Sequence, residues 1–365
     1  MLAQPKKIWL FSFQIDIIGL FLPVWLACFA CFFIPIKILN NPLPLWVWVI
    51  VVMGIDVSHV WATILRTYLD KFEFERHKKL LLFTPILVFL VLFFVVNISI
   101  LWFWRVMAYL ALHHFVRQQY GFLALYRAKY GIKHSKFFAD KWVIYFSMLY
   151  PIFYWHFSSQ RKFQWFYVGD FLNLSFFLEK YNFIWQYLHF FYFLILFFWL
   201  IEEIYYSQKI AIKKWAWGKI LWILTTALAW YIGIVYFNSD IAFTLTNVIA
   251  HGVPYILLVF VYVEKKKSIQ LSTSFSFWKY TKHIFLMFVC ILLLAFLEEY
   301  CWDWWLNRQK IAFFSHFLSY PTYLFTDPFL KAFAFAFLSI PQVSHYIIDG
   351  YIWKNNDKNP HLKNI

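Results

Sequence analysis

Long apolar runs separated by short polar segments dominate the chain. A run of about 20 apolar residues can cross a bilayer as a helix, and on that criterion the pattern predicts ten membrane-spanning helices. Their approximate ranges are 9–35, 44–66, 80–97, 99–119, 142–157, 183–206, 219–237, 242–263, 283–300 and 331–353. The segment 301–328, which is rich in tryptophan, is interpreted as interfacial structure. We therefore predict an all-α, polytopic helical bundle that forms a single domain over residues 1–365.

Basic residues are distributed unevenly between the two sides of this topology. Most of the 33 Lys and Arg residues fall in segments on the same side as the N-terminus, such as 66–79 and 117–141. Cytoplasmic loops of membrane proteins carry such an excess. We therefore expect both termini in the cytoplasm and a multi-pass protein of the inner (cytoplasmic) membrane.

Composition supports this class and argues against others. The 365 residues are 63% hydrophobic and only 14% charged, whereas soluble domains average roughly 25% charged residues. The net charge of +15 comes largely from the loops, so we expect no nucleic-acid partner. The Cys28-x-x-Cys31 pair lies within the first predicted span and is interpreted as two small buried hydrophobic residues.

Four of the predicted spans nevertheless carry strong polar residues at helical spacing. They are Asp56-x-x-His59, His113-His114-x-x-Arg117-Gln118, Asn247-x-x-x-His251 and Gln342-x-x-His345-x-x-x-Asp349. Ionisable groups are costly inside a bilayer, so they usually face the bundle interior or a wet cavity and mark a functional site. All four motifs lie on even-numbered predicted helices, which run in the same direction.

The depth of the histidines indicates whether these motifs can meet. Counted from the outer ends of their spans, His59, His113 and His345 lie about 14–15 residues down, in the inner half of the membrane. His251 lies about nine residues down, roughly 8 Å shallower. Neighbouring His113 and His114 point about 100° apart, so we expect one of them to face a shared site directly.

Several imidazoles with a few carboxylates suit iron, copper or zinc, whereas magnesium and calcium prefer oxygen ligands. The metal-binding candidates are His59, His113, His114, His251, His345 and Asp349. The candidates for a catalytic role around the metal are Asp56, Arg117, Gln118 and Asn247. We expect a transition metal, with iron preferred over zinc or copper, and assign no residue to an organic cofactor.

Two segments have a more distinctive pattern. One is Ile340-Pro341-Gln342 leading into His345-x-x-x-Asp349, and the other runs from Tyr109 to Gln118 with its paired histidines. They resemble motifs of the bacterial membrane-bound β-carotene dioxygenases. That resemblance implies an iron-dependent oxygenase with histidine ligands, and it indicates the following residues as ligands: His59, His114, His251 and His345.

The function expected from these observations is metal-dependent oxidation or hydroxylation of a lipid-soluble substrate. The substrate would be a membrane lipid or another apolar small molecule, and a redox protein is a candidate partner. Two alternatives remain open. Asn247 and His251 on one helix are similar to the buried histidine of membrane-bound O-acyltransferases, which would imply acyl transfer to lipid or cell-envelope glycan. A proton-coupled transporter could use the Asp and His groups as a proton relay.

Overall fold

The computed structural model describes residues 8–130, 139–159, 164–209, 215–270, 281–320, 327–354 and 359. Within these ranges every regular element is a helix, so the predicted all-helical class is confirmed for them. In chain order the main helices are α1 (Phe13–Phe33), α2 (Leu45–Arg66), α3 (Lys71–Ile98), α4 (Ile100–Tyr130), α5 (Asp140–Phe157), α6 (Ile184–Lys209), α7 (Trp217–Tyr236), α8 (Asp240–Gln270), α9 (Thr281–Asn307), α10 (Pro328–Leu338) and α11 (Ile340–Ile352).

Seven helices among the described residues are long and apolar enough to cross a membrane, namely α1, α2, α3, α6, α7, α8 and α9. These helices indicate a membrane protein. Helices also occupy the other three predicted positions, but α5 has only 18 residues and a break at Ser339 separates α10 from α11. In α4, arginines and histidines interrupt the apolar pattern. The count of ten spans, the orientation of the termini and the choice of membrane remain predictions.

Helix α3 begins well before the apolar run that predicted it. Asp70 caps the helix, because its Oδ1 accepts hydrogen bonds from the backbone N–H groups of Phe72 at 3.0 Å and Glu73 at 3.1 Å. Glu73 is buried and accepts a hydrogen bond from Lys266 Nζ of α8 at 3.1 Å. A charged first turn is therefore stabilised by a cap and a tertiary ion pair, which an apolar pattern does not reveal.

Several helices contain π-helical segments, in which backbone hydrogen bonds join residues five apart. Two of these segments are Trp48–Val57 in α2 and Thr244–Val248 in α8. Each ends within three residues of a buried histidine, His59 in α2 and His251 in α8. Such segments are rare and occur frequently at functional sites.

By packing, the chain divides into two compact units. The first contains the described residues of Met1–Pro44, Leu112–Trp165 and Phe171–Pro254. In it, α5 packs against α7, and a buried ion cluster joins three helices. Lys219 Nζ lies 2.9 Å from Asp140 Oδ2 and 2.7 Å from Glu203 Oε2. The predicted single-domain organisation remains a prediction.

The second unit contains the described residues of Leu45–Ala111, Phe166–Asp170 and Tyr255–Ile365. Here α3 packs against α10 and α11, and α2 packs against α9 and α11. One apolar cluster of this unit includes Ala62, Tyr255, Val259 and Ile291, all nearly or completely buried. The packing of α2 with α11 brings together two of the polar motifs.

Candidate metal centre

His59 lies two residues after the π-helical segment of α2. Its side chain is buried, with 2% exposure, and its Nδ1 lies 3.5 Å from Asp56 Oδ1. The hydroxyl of Ser58 donates a hydrogen bond to the Met53 carbonyl at 3.0 Å, where the segment gives way to regular α-helix. A carboxylate beside one ring nitrogen of a histidine can fix the orientation of the ring and leave the other nitrogen for a metal ion.

His345 lies in the second turn of α11. Pro341 occupies the first turn of this helix, where its missing N–H is not needed by the helical hydrogen-bond pattern. The His345 side chain is 2% exposed, and its ring centroid lies 4.9 Å from that of His59 at an angle of 77°. These two imidazoles therefore form a close, buried pair.

Hydroxyl and carboxylate groups surround this pair. Thr63 Oγ1 lies 2.6 Å from His345 Nδ1 and 2.8 Å from the Tyr255 hydroxyl. The Tyr255 hydroxyl donates to Asp349 Oδ1 at 2.6 Å, while the same carboxylate oxygen lies 3.7 Å from His345 Nδ1. One turn further along α2, the buried Arg66 guanidinium donates to the Ile352 carbonyl.

His114 of α4 and His251 of α8 form a second buried pair. Their ring centroids lie 5.0 Å apart at 82°, and their exposures are 5% and 0%. The ring of Phe115 stacks on His251 with a centroid distance of 3.6 Å and an interplanar angle of 14°. An aromatic face on one side of the imidazole restricts the rotation of the ring.

Backbone carbonyls of α8 are bound by side chains of α4 next to this pair. Pro254 has no N–H, so the carbonyl four residues earlier, that of Ala250, lacks its helical partner. Gln119 Nε2 donates to the Ala250 carbonyl at 3.0 Å, and Gln118 Nε2 donates to the His251 carbonyl at 2.7 Å. The proline thus creates an acceptor that the amide of a neighbouring helix satisfies, which fixes the position of His251.

Asn247 is held by a close contact between α7 and α8. It is 1% exposed, and its Nδ2 lies 3.0 Å from Thr246 Oγ1 and 3.3 Å from the Ala229 carbonyl. A Cβ atom at Gly233 would lie 2.1 Å from Thr246 Oγ1 and 2.3 Å from Asn247 Nδ2. A side chain at Gly233 would therefore require Thr246 and Asn247 to move.

Four buried histidines form a group that could hold a metal ion. They are His59, His114, His251 and His345. Each offers one ring nitrogen as a potential ligand, and these four nitrogens all lie within 4.8 Å of one another. Imidazole nitrogens bound at about 2 Å on opposite sides of one ion are about 4 Å apart. The 4.8 Å limit is therefore close to the largest separation of two nitrogens bound to one ion.

The remaining predicted residues lie around or outside this group. His113 and Arg117 are exposed on α4, and Arg117 donates to the Tyr145 hydroxyl at 2.9 Å. Asp56 and Asp349 each lie beside one histidine of the group. The amide nitrogen of Gln118 donates to the backbone carbonyl of His251 and not to a histidine ring.

Three residues with contacts at the site were not among the sequence candidates, namely Thr63, Gln119 and Tyr255. Thr63 contacts His345 and Tyr255, and Gln119 contacts the backbone at Ala250. Thr63 follows His59 by four residues, so the sequence places it on the same helical face as Asp56 and His59 without indicating a role. The role of Gln119 depends on the carbonyl exposed by Pro254, a signal visible only once the two helices are known to be neighbours.

Comparison of the chain with protein-family models, curated proteins and solved structures finds no match. The resemblance to β-carotene dioxygenases accordingly depends on the two short motifs alone.

Proposed function

We propose that this protein is a membrane-embedded metal enzyme, and that its four buried histidines bind one iron ion. The observation that carries the proposal is the proximity of four imidazoles, with ligand nitrogens within 4.8 Å of one another, in a chain of apolar helices. Placing polar, ionisable side chains in a membrane interior is unfavourable. A metal ion offsets that cost, because it binds the neutral imidazoles directly.

The donor set supports iron. Imidazole suits iron, copper, zinc and nickel, and four nitrogens leave open positions on an ion that takes six ligands. Carboxylates beside two of the histidines, Asp56 and Asp349, have the arrangement of groups that orient metal ligands. Bound iron with open positions supplies the capacity to activate dioxygen, and the surrounding residues hold the imidazoles and exclude water.

The proposed substrate is a lipid-soluble molecule that reaches the site from the bilayer. The described helices expose many large apolar side chains, including Phe83 and Phe94 on α3 and Phe190 on α6, as lipid contact requires. The proposed reaction is oxidation or hydroxylation of this substrate in the inner membrane. Electrons for a hydroxylation would come from a redox protein.

Metal analysis of the purified protein tests the proposal. We expect about one iron ion per chain in the wild type, and loss of this metal in His114→Ala. The matched control is His113→Ala, which changes the neighbouring residue on the same helix but an exposed side chain. The absence of stoichiometric metal in the wild type, or equal metal loss in the two variants, would contradict a centre of these four histidines.

Oxygen consumption separates the oxidase from its alternatives. The iron-loaded wild type should consume dioxygen in the presence of a membrane-lipid extract and a chemical reductant, and His345→Ala should not. Acyl transfer that survives chelation of the metal would instead favour an acyltransferase. Proton-coupled flux in liposomes without oxygen uptake would favour a transporter.

A further inference from the structure

A chain of hydrogen-bonding groups connects the imidazole of His345 to a carboxylate. Thr63 Oγ1 lies 2.6 Å from His345 Nδ1 and 2.8 Å from Tyr255 Oη. Tyr255 Oη in turn lies 2.6 Å from Asp349 Oδ1. The exposures of His345, Thr63 and Tyr255 are 2%, 3% and 1%, so the chain is shielded from solvent over its length.

The carboxylate sets the direction of every hydrogen bond in this chain. The Tyr255 hydroxyl donates to Asp349 Oδ1 at 2.6 Å. A hydroxyl has a single hydrogen, so Tyr255 Oη must accept from the hydroxyl of Thr63. Thr63 Oγ1, with its hydrogen directed to Tyr255, then accepts from the Nδ1–H of His345.

We infer that Thr63, Tyr255 and Asp349 are positioning residues that hold His345 in its Nδ1–H tautomer, so that Nε2 binds the metal. This inference rests on the proposed function, since it concerns how one histidine ligand is oriented for metal binding. A neutral histidine carries its proton on one ring nitrogen and a lone pair on the other. A partner that accepts from Nδ1–H therefore leaves the Nε2 lone pair for the metal.

The geometry also assigns Asp349 a role different from that of a metal ligand. The i, i+4 spacing of His345 and Asp349 permits both to bind one ion, but the Asp349 carboxylate oxygen accepts from Tyr255 at 2.6 Å. The same oxygen is 3.7 Å from His345 Nδ1, too far for a direct hydrogen bond. Asp349 acts on His345 through Tyr255 and Thr63.

Cobalt binding to the metal-depleted protein tests this inference. Co²⁺ is titrated into wild type, Thr63→Val, Thr63→Ser and Tyr255→Phe in detergent micelles and followed by its visible absorption. Loss of a group that orients a ligand typically weakens metal binding by about 10–100-fold, which is the effect expected for Thr63→Val and Tyr255→Phe. Thr63→Ser retains the hydroxyl and should bind Co²⁺ within about threefold of wild type, given that the orienting group is kept.

A matched control separates orientation from general damage to the fold. Tyr192 is also buried, and its hydroxyl donates to the backbone carbonyls of Ser147 and Ala227 at 3.1 and 3.2 Å. Tyr192→Phe removes comparable hydrogen bonds without touching the histidines. It should leave Co²⁺ affinity unchanged, and a loss equal to that of Tyr255→Phe would overturn the inference.

A measurement without metal gives an independent readout. In protein labelled with ¹⁵N-histidine, NMR should show the His345 ring protonated at Nδ1 in the wild type and a mixture of tautomers in Thr63→Val. The His345 signals are assigned by their loss in His345→Gln. An Nε2-protonated His345 in the wild type would overturn the inference.

The outcomes distinguish the inference from the proposed function. Equal Co²⁺ affinities of wild type, Thr63→Val and Tyr255→Phe would overturn the inference and leave the proposed metal centre intact. Absence of Co²⁺ binding by the wild type would overturn both.

Discussion

The two pairs of buried histidines are positioned by different means. Around His59 and His345, side-chain groups approach the ring nitrogens themselves, with Thr63 at 2.6 Å and Asp56 at 3.5 Å. Around His114 and His251, the contacts described are a stacked phenyl ring and amides that bind the backbone of α8. The described contacts thus act on a ring nitrogen in the first pair, and on a ring face and the helix backbone in the second.

The two pairs should therefore respond to different substitutions. A substitution that removes one hydroxyl or carboxylate near His345 removes a contact of a ring nitrogen but leaves the helices packed. A substitution near His251 changes the path of α8 and thus the position of the whole residue.

Gly233→Ala should damage the second pair most, because it acts on the packing of α7 against α8. The added methyl group would lie 2.1 Å from Thr246 Oγ1 and 2.3 Å from Asn247 Nδ2, so these two side chains must move from their buried positions. Overpacking of a well-packed interior typically costs about 1–3 kcal/mol. We expect a lower thermal midpoint in micelles together with loss of bound metal.

Gly121→Ala is the control for that substitution. Gly121 lies on α4 and a Cβ there would meet nothing within 4 Å, so alanine should stabilise the helix by up to about 1 kcal/mol. If Gly233→Ala melts at the same temperature as Gly121→Ala, the close contact of α7 and α8 is not present in solution.

Gln119→Leu should destabilise the protein at the proline position of α8. It removes the donor to the buried Ala250 carbonyl, and an unsatisfied buried acceptor costs about 1–3 kcal/mol. In a Pro254→Ala background the new backbone N–H can bind that carbonyl, so the same substitution should cost less. The free energies of unfolding of the four proteins form a double-mutant cycle, with an expected coupling of about 0.5–3 kcal/mol. Additive effects would show that Pro254 and Gln119 do not act on the same carbonyl.

Asp56→Asn should have the smallest effect of the three. The distance of 3.5 Å from His59 Nδ1 is long, and Asp56 is 19% exposed, while asparagine keeps an oxygen acceptor. We expect Co²⁺ affinity to fall by less than about tenfold, at or below the lower limit for residues that orient ligands. Asp70→Asn, which alters the cap of α3 and its ion pair with Lys266, should leave the affinity unchanged. A larger loss of Co²⁺ affinity for Asp56→Asn than for Tyr255→Phe would show that the carboxylate beside His59 matters more for metal binding than the hydroxyl groups beside His345.

Part of the fold was predictable because its signals are local. Apolar runs predicted helices at the positions of α1 and α2, since burial in lipid depends on the composition of each segment alone. The early start of α3 was not predicted, because its first turn is charged and is stabilised by the Asp70 cap and by Lys266, almost 200 residues away.

The candidate site shows the same division. Helical spacing placed Asp56 beside His59 and Asp349 beside His345, and the structure has these pairs at 3.5 and 3.7 Å. Spacing alone could not choose between His113 and His114, because the buried side of α4 depends on its neighbours. It also could not assign the Asp349 oxygen to Tyr255, a residue 94 positions away.

By itself, the sequence determined that this chain is helical, apolar enough for a membrane, and equipped with histidines in four helical segments. These properties follow from composition and from periodicities of three to four residues. Only the tertiary structure decided that His59, His114, His251 and His345 form one group and that Thr63 contacts His345 across 282 positions. Such contacts depend on which helix faces pack together, and that packing is a property of the whole chain.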